Sequence, residues 1–164
     1  MFLNTQLAYE TLAPAIQQLL DDCVLEHDVL NIYRDTAYLA RAGGMSKEIE
    51  LREQHPPVTH PAVIVHPVTG RAGLLVNATH GTRFVNMSRL ESRHLMSMLC
   101  EHQQLPEFQV RFEWSPNDVV MWDNFSTQHY AVADYYPQRR VMRRITVSGR
   151  EPEAHTPMRH ANVA

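Results

Sequence analysis

Between Pro106 and Gly149 the chain is cut into short runs of β-branched and aromatic residues by clusters of turn formers. Phe108–Trp114, Val119–Trp122 and Val141–Ser148 each read as a strand, with Ser115-Pro116-Asn117-Asp118 as the turn between the first two. Trp122 and Phe112 read as core residues. A second β signal lies upstream: Ala62–His66 and Gly73–Asn77 flank Pro67-Val68-Thr69-Gly70-Arg71, whose turn chemistry predicts a hairpin.

Helical patterns fill the rest. From Asn4 to about Glu26, residues Leu7, Leu12, Ile16, Leu19, Leu20, Cys23 and Val24 follow the 3.6-residue period, and Pro14 divides the stretch into two short helices. Asn31 to about Pro57 is polar and carries Gly43-Gly44. It reads as a long, partly helical excursion over the surface, of a kind that often covers active sites. Arg89–Gln103 predicts a helix with Ser88 and Glu91 as its capping box, Leu90, His94, Leu95, Met98 and Leu99 along one face, and Pro106 helping to end it. Residues 151–164 lose periodicity and read as a disordered tail. The expected class is mainly β with flanking helices, an α+β arrangement in one domain over residues 1–150.

Charge narrows the partners. Fifteen Lys and Arg against eighteen Asp and Glu give a formal charge of −3, which disfavours nucleic acid and anionic membranes. No apolar run approaches the roughly 18 residues a membrane helix needs, and no leader pattern opens the chain, so the expected location is cytoplasmic. Cys23 and Cys100 lie in apolar, helix-like stretches and read as buried free thiols, with a single disulfide left open. Ten histidines are many for this length and hint at a metal or an anionic ligand.

One segment gathers the candidate chemistry. His129 follows a strand-like run, and Arg140 comes eleven positions later on the next one. A neutral imidazole there suits iron, and a guanidinium fork suits a carboxylate in a way that Lys does not. On a regular strand Arg140, Met142 and Arg144 would share one face, with the two arginines about 13 Å apart, enough to hold two anions. Read blandly, His129 is a structural histidine, and Arg139, Arg140, Arg143 and Arg144 form a solvated strand edge or a weak anion patch. A zinc hydrolase built on His55, His60, His66 or His80 is a third reading, weakened by the His-Pro pairs, which suit turns and strand entries.

The motifs carry a resemblance. His66-Pro67-Val68-Thr69-Gly70-Arg71, Leu75-Val76-Asn77, Pro106 to Phe112, Pro116-Asn117-Asp118, Trp122-Asp123-Asn124, Thr127 to Ala131 and Pro137 to Met142, in this order, resemble the taurine dioxygenase family of iron(II)- and 2-oxoglutarate-dependent dioxygenases, from about Leu7 to Gly149. The resemblance implies a double-stranded β-helix, a cupin-like jelly roll, here incomplete. It implies His129 as the distal iron ligand, Arg140 on the side-chain carboxylate of 2-oxoglutarate and Arg144 on the substrate's anionic group, with His80 and Tyr33 lining the substrate pocket. The implied cofactors are Fe(II) and 2-oxoglutarate. The implied reaction consumes O2 to decarboxylate 2-oxoglutarate to succinate and hydroxylates a small anionic substrate such as taurine, another alkylsulfonate or a sulfate ester. Hydroxylation beside the heteroatom would then release sulfite or sulfate. Association into homo-oligomers is common in the family.

Two departures stand out. Phe125 occupies the place of the family's usual Arg after Trp-Asp-Asn. The residue two positions after each of the ten histidines is neither Asp nor Glu, so the family's His-x-Asp ligand pair is absent. A family Thr that helps to bind 2-oxoglutarate would fall just before Met1. The expectation is a C-terminal part of the domain, truncated at its N-terminal side and inactive alone, with a non-catalytic remnant or binding module of the same fold as the alternative.

Overall fold

The computed structural model describes residues 1–33 and 44–155. Among the described residues, eight short strands pair antiparallel in three small sheets, with four α-helices: α1 (Thr5–Glu10), α2 (Pro14–Asp21), α3 (Met45–Gln54) and α4 (Arg89–Gln103). β1 (Phe2–Asn4) lies between β7 (Gln109–Val110) and β8 (Thr127–His129), with Phe2 opposite both Val110 and His129. β2 (Val24–His27) is central between β3 (Val58–Pro61) and β6 (Gly81–Phe84). β4 (Val63–Val65) and β5 (Ala72–Leu74) form the expected hairpin, whose turn places Gly70 at φ 71°.

The core joins these pieces. Ala8, Tyr9 and Leu12 of the first helical turns meet Leu20, Cys23, Leu25, Val63, Leu74, Val76, Phe84, Leu99 and Phe108. Close approach of α1 to β5 requires Gly73, where an added Cβ would stand 3.0 Å from Thr5 Oγ1. Pro14 opens α2 at its first turn, where the missing N–H has no intrahelical partner to lose. The capping box of α4 is complete: Ser88 Oγ accepts from Glu91 N–H, and Glu91 Oε2 accepts from Ser88 N–H at 2.9 Å.

Several expectations are corrected. Val24–His27 is a strand rather than a helix end, because two neighbours complete its backbone ladder and that pairing overrides the local period. The buried face of α4 runs through Ser92, Leu99 and Gln103, leaving Leu90 and Met98 exposed. Phe112 is exposed and Trp122 half-buried, so neither belongs to the core. The Ser115–Asp118 turn forms, with Asn117 at φ 74° and Asp118 N–H bonded to Ser115 O. Yet residues 119–122 and 141–148 find no ladder partner among the described residues, and Phe108–Trp114 pairs only at β7. Extended backbone becomes a strand only where a neighbour supplies its hydrogen bonds. No closed barrel is formed among the described residues. Within the expected tail, Ala154 bridges Ile64, and His155 Nδ1 lies 3.2 Å from Asp21 Oδ1; residues 156–164 lie outside the described residues. The 31–57 excursion is helical over Val29–Tyr33 and along α3, which Arg52 ties to the buried Asp28 at 2.9 Å; residues 34–43 lie outside the described residues. Cys23 and Cys100 are both free, and burial pushes each thiol's pKa up. No described helix is long and apolar enough to cross a membrane.

Candidate active site

β8 carries His129 to the edge of the first sheet. Its register is fixed from two sides: Thr5 N–H bonds Ser126 O at 3.0 Å, and Tyr130 N–H bonds Met1 O at 3.0 Å. From beneath, Gln128 Nε2 donates to Val76 O at 2.8 Å and to Gln103 Oε1 at 3.2 Å, which anchors the strand to the end of α4. The His129 ring stacks at a tilt on Trp122, centroids 5.0 Å apart, and Trp122 in turn meets Phe2 at 5.1 Å.

Arg144 is the cation that reaches this imidazole, its Nη1 lying 3.4 Å from His129 Nε2. A guanidinium only donates, so Nε2 presents its lone pair. Burial lowers the His129 pKa first, and the Arg144 and Met1 cations lower it further, which keeps the ring in the neutral form that a metal would use. The same lone pair cannot serve Arg144 and a metal together, so metal binding here requires Arg144 to swing aside. Arg140 is placed otherwise: its guanidinium lies over the Tyr135 ring, 5.5 Å from the centroid. The shared face expected for Arg140 and Arg144 is absent because residues 138–148 form no regular strand.

His80 and Tyr33 belong to a second group. The Asn31 amide donates to the carbonyls of Ala78, Thr79 and Gly81, pinning the Val29–Tyr33 turn against the loop that holds His80. Gly81 permits this tight loop, since a Cβ there would stand 2.6 Å from Asn77 O. Beside it lies His27, at the end of β2, where the sequence reads as helix up to about Glu26 and gives no sign of a site. The His27 and His60 rings are 5.3 Å apart, and His27 Nδ1 is buried without a partner. Burial lowers the His27 pKa first, followed by repulsion from His60 and His80. Because the folded value falls below the ordinary 6.5, the unfolded chain binds more protons in acid. His27 therefore contributes a stability loss that starts as pH falls through about 6.5 and levels off below its folded pKa. Thermal melts at pH 7.5 and 5.5 should show a smaller acid loss for His27→Gln than for the parent chain; equal losses would refute this role.

The zinc reading fails on contacts. His66 is buried with both ring nitrogens occupied, Nδ1 by the N–H groups of Val68 and Thr69 and Nε2 by Asp123. Among the described residues no three His, Cys, Asp or Glu side chains gather closely enough to hold a metal ion.

The comparisons with known proteins decide the family. The profile of the Taurine catabolism dioxygenase TauD, TfdA family matches residues 1–146. The chain belongs to this family. Among its relatives, the alkylsulfatase of Acinetobacter baylyi is 38% identical over 156 residues, covering 89% of this chain and 46% of that protein. The alpha-ketoglutarate-dependent sulfate ester dioxygenase of Pseudomonas putida is 36% identical over 157 residues, covering 91% of this chain and 50% of that protein. Among solved structures, AAD-2 in complex with Mn(II) and N-oxalylglycine aligns with a TM-score of 0.73 at 32% identity, over 92% of this chain and 57% of that one. A taurine dioxygenase from Burkholderia xenovorans aligns with a TM-score of 0.59 at 31% identity, over 77% of this chain and 38% of that one. The chain thus spans about half the length of the TauD, TfdA relatives it matches.

Proposed function

We propose that this chain forms part of an Fe(II)- and 2-oxoglutarate-dependent dioxygenase of jelly-roll fold that hydroxylates a small anionic substrate, with a sulfate ester or alkylsulfonate favoured. The observation that carries the reading is the neutral imidazole of His129 facing a guanidinium, a metal donor and an anion holder at one place. The names of the relatives support the substrate class, and the metal and N-oxalylglycine bound to AAD-2 support the cofactor pair. In this assignment His129 is one iron ligand, Arg140 leaves Tyr135 to grip the far carboxylate of 2-oxoglutarate, and Arg144 holds the substrate's anionic group. His80 and Tyr33 line the substrate pocket, and residues 1–150 belong to the domain. A cytoplasmic setting accords with two free thiols.

The fit to iron is incomplete within the described residues. A facial site needs three protein ligands, and one imidazole is a third of that set. When bound, the metal couples O2-dependent decarboxylation of 2-oxoglutarate to substrate hydroxylation. What the chain itself does is present the lone pair at Nε2, keep that ring unprotonated and supply the cations that orient two anions.

A chimera tests the assignment: this chain replaces its matched half of the Pseudomonas putida dioxygenase, and succinate and sulfate are measured with Fe(II), 2-oxoglutarate and an alkyl sulfate. Turnover should appear and fall more than about 100-fold with His129→Ala, a ligand loss being at least as severe as loss of a ligand's outer support. Arg140→Lys should raise the KM for 2-oxoglutarate about ten- to hundredfold, the cost of one charged hydrogen bond. A folded chimera without turnover would refute the dioxygenase reading and favour a binding module, for which the lack of a complete ligand set among the described residues already speaks.

A further inference from the structure

His66 lies in the β4–β5 turn, far from His129 in sequence, and nothing in its family role as read above gives it a task. Its contacts do. Nδ1 accepts the N–H groups of Val68 and Thr69, both at 3.2 Å, so the ring proton sits on Nε2, and Nε2 donates to Asp123 Oδ2 at 2.9 Å. The other carboxylate oxygen, Oδ1, accepts Phe125 N–H at 2.7 Å. The Phe125 ring closes edge-on over the same imidazole, centroids 6.1 Å apart at 64°. At the position where the family usually carries Arg, this chain therefore sets an apolar ring against a buried histidine, with the Gly149 backbone close beside it.

Asp123 is bonded through the chain to Trp122, the residue on which the His129 ring rests. Trp122 is itself held by Phe2 on one side and by its Nε1–H on Asn124 Oδ1 at 3.1 Å. Holding both carboxylate oxygens of Asp123 sets the backbone course at 122–125 from which the indole projects, and the indole packs against the imidazole.

We infer that His66 and Asp123 are positioning residues: with Phe125 they form a latch that holds Trp122 against His129 and so sets the direction of the His129 lone pair. Only the use made of His129 rests on the dioxygenase reading; the latch itself does not. A carboxylate half exposed on one side and a buried imidazole on the other suit such a device, because the bond ties the 122–126 loop to the β4–β5 turn across 57 residues of chain.

The readout is the ring-current shift that Trp122 imposes on the His129 ring protons, measured by NMR on the whole chain without metal. In His66→Leu and Asp123→Ala the shift should fall by at least half, while methyl signals of Leu20 and Leu99 stay in place. His66→Gln, whose amide N–H can still reach Asp123, should retain most of it. A full shift in both loss variants would overturn the latch, and so would core methyls moving in step with it, which marks a merely structural role. Should the loss variants fail to fold, hydrogen exchange on the parent chain decides. The amides of Val68, Thr69, Phe125 and Tyr130 should open as one unit, with protection within about threefold, and a Tyr130 amide differing by about tenfold or more would overturn the proposal. Turnover of the chimera is separate: a latch that behaves as stated beside a folded chimera without turnover would leave the latch standing and remove the dioxygenase reading.

Discussion

Purified as its 164 residues and supplied with Fe(II), ascorbate, 2-oxoglutarate and an alkyl sulfate or alkylsulfonate, the chain is expected to form no more succinate than a protein-free control. The reason is coordination chemistry. Iron of this class needs three facial protein donors, because each donor both fixes the ion and leaves a defined position for co-substrate and O2. His129 is the donor to which the family motifs point, and among the described residues no group of three ligating side chains gathers. Its lone pair is already directed at Arg144, so even weak metal binding must first displace a cation. Robust, iron-dependent succinate formation by the isolated chain would sink this expectation and show that donors outside the described residues complete the site. Adding the unmatched half of the Pseudomonas putida relative in trans separates a missing donor set from a missing chemistry: rescue would mean the former.

Much of the local structure was legible because it is written within a few residues. The capping box at Ser88 and Glu91, the proline opening α2 and the turn around Thr69-Gly70 depend on contacts inside one turn of chain, and all appear as read. What the sequence concealed depends on partners far away. Val24–His27 continues a helical period, and only the ladders to β3 and β6 reveal it as a strand. Phe2–Asn4 is too short to announce itself and matters because Thr127–His129 lies opposite. Val119–Trp122 and Val141–Ser148 carry the residue pattern of strands without a neighbour among the described residues to make them so. The family's ordered motifs were legible across nearly the whole chain, as the match over residues 1–146 shows.

At the candidate site the sequence told which residue types were available and not how they meet. Eleven positions from His129, Arg140 turns to Tyr135; fifteen positions away, Arg144 comes to the imidazole. Alternation along a strand predicted a shared face for both arginines, and alternation has no meaning where the strand is unpaired. His66 shows the same limit in reverse. Its His-Pro context marks it as a turn residue, which it is, yet only the folded chain brings Asp123 to its other nitrogen and ties that turn to the loop before β8.

The isolated chain should also associate. Val119 and Met121 are 92% and 93% exposed, and Ile145 and Val147 are 93% and 88% exposed. Each pair is spaced by two residues, so each would line one face of an extended strand. Removing four such side chains from water is worth roughly 6–12 kcal/mol at about 1.5–3 kcal/mol each. That is comparable with the whole stability of a typical domain, about 5–15 kcal/mol. Their backbones lack ladder partners among the described residues as well, and open edges of that kind favour pairing with another chain. Sedimentation should therefore find species larger than 18.9 kDa growing with concentration across the micromolar range where exposed edges aggregate. The double change Met121→Lys and Ile145→Lys places a charge in each patch and should shift the chain toward monomer without lowering its melting temperature, since neither side chain belongs to the core. A parent chain that stays monomeric throughout would mean that these residues are covered from within, by a packing of 119–121 and 145–147 different from the one described.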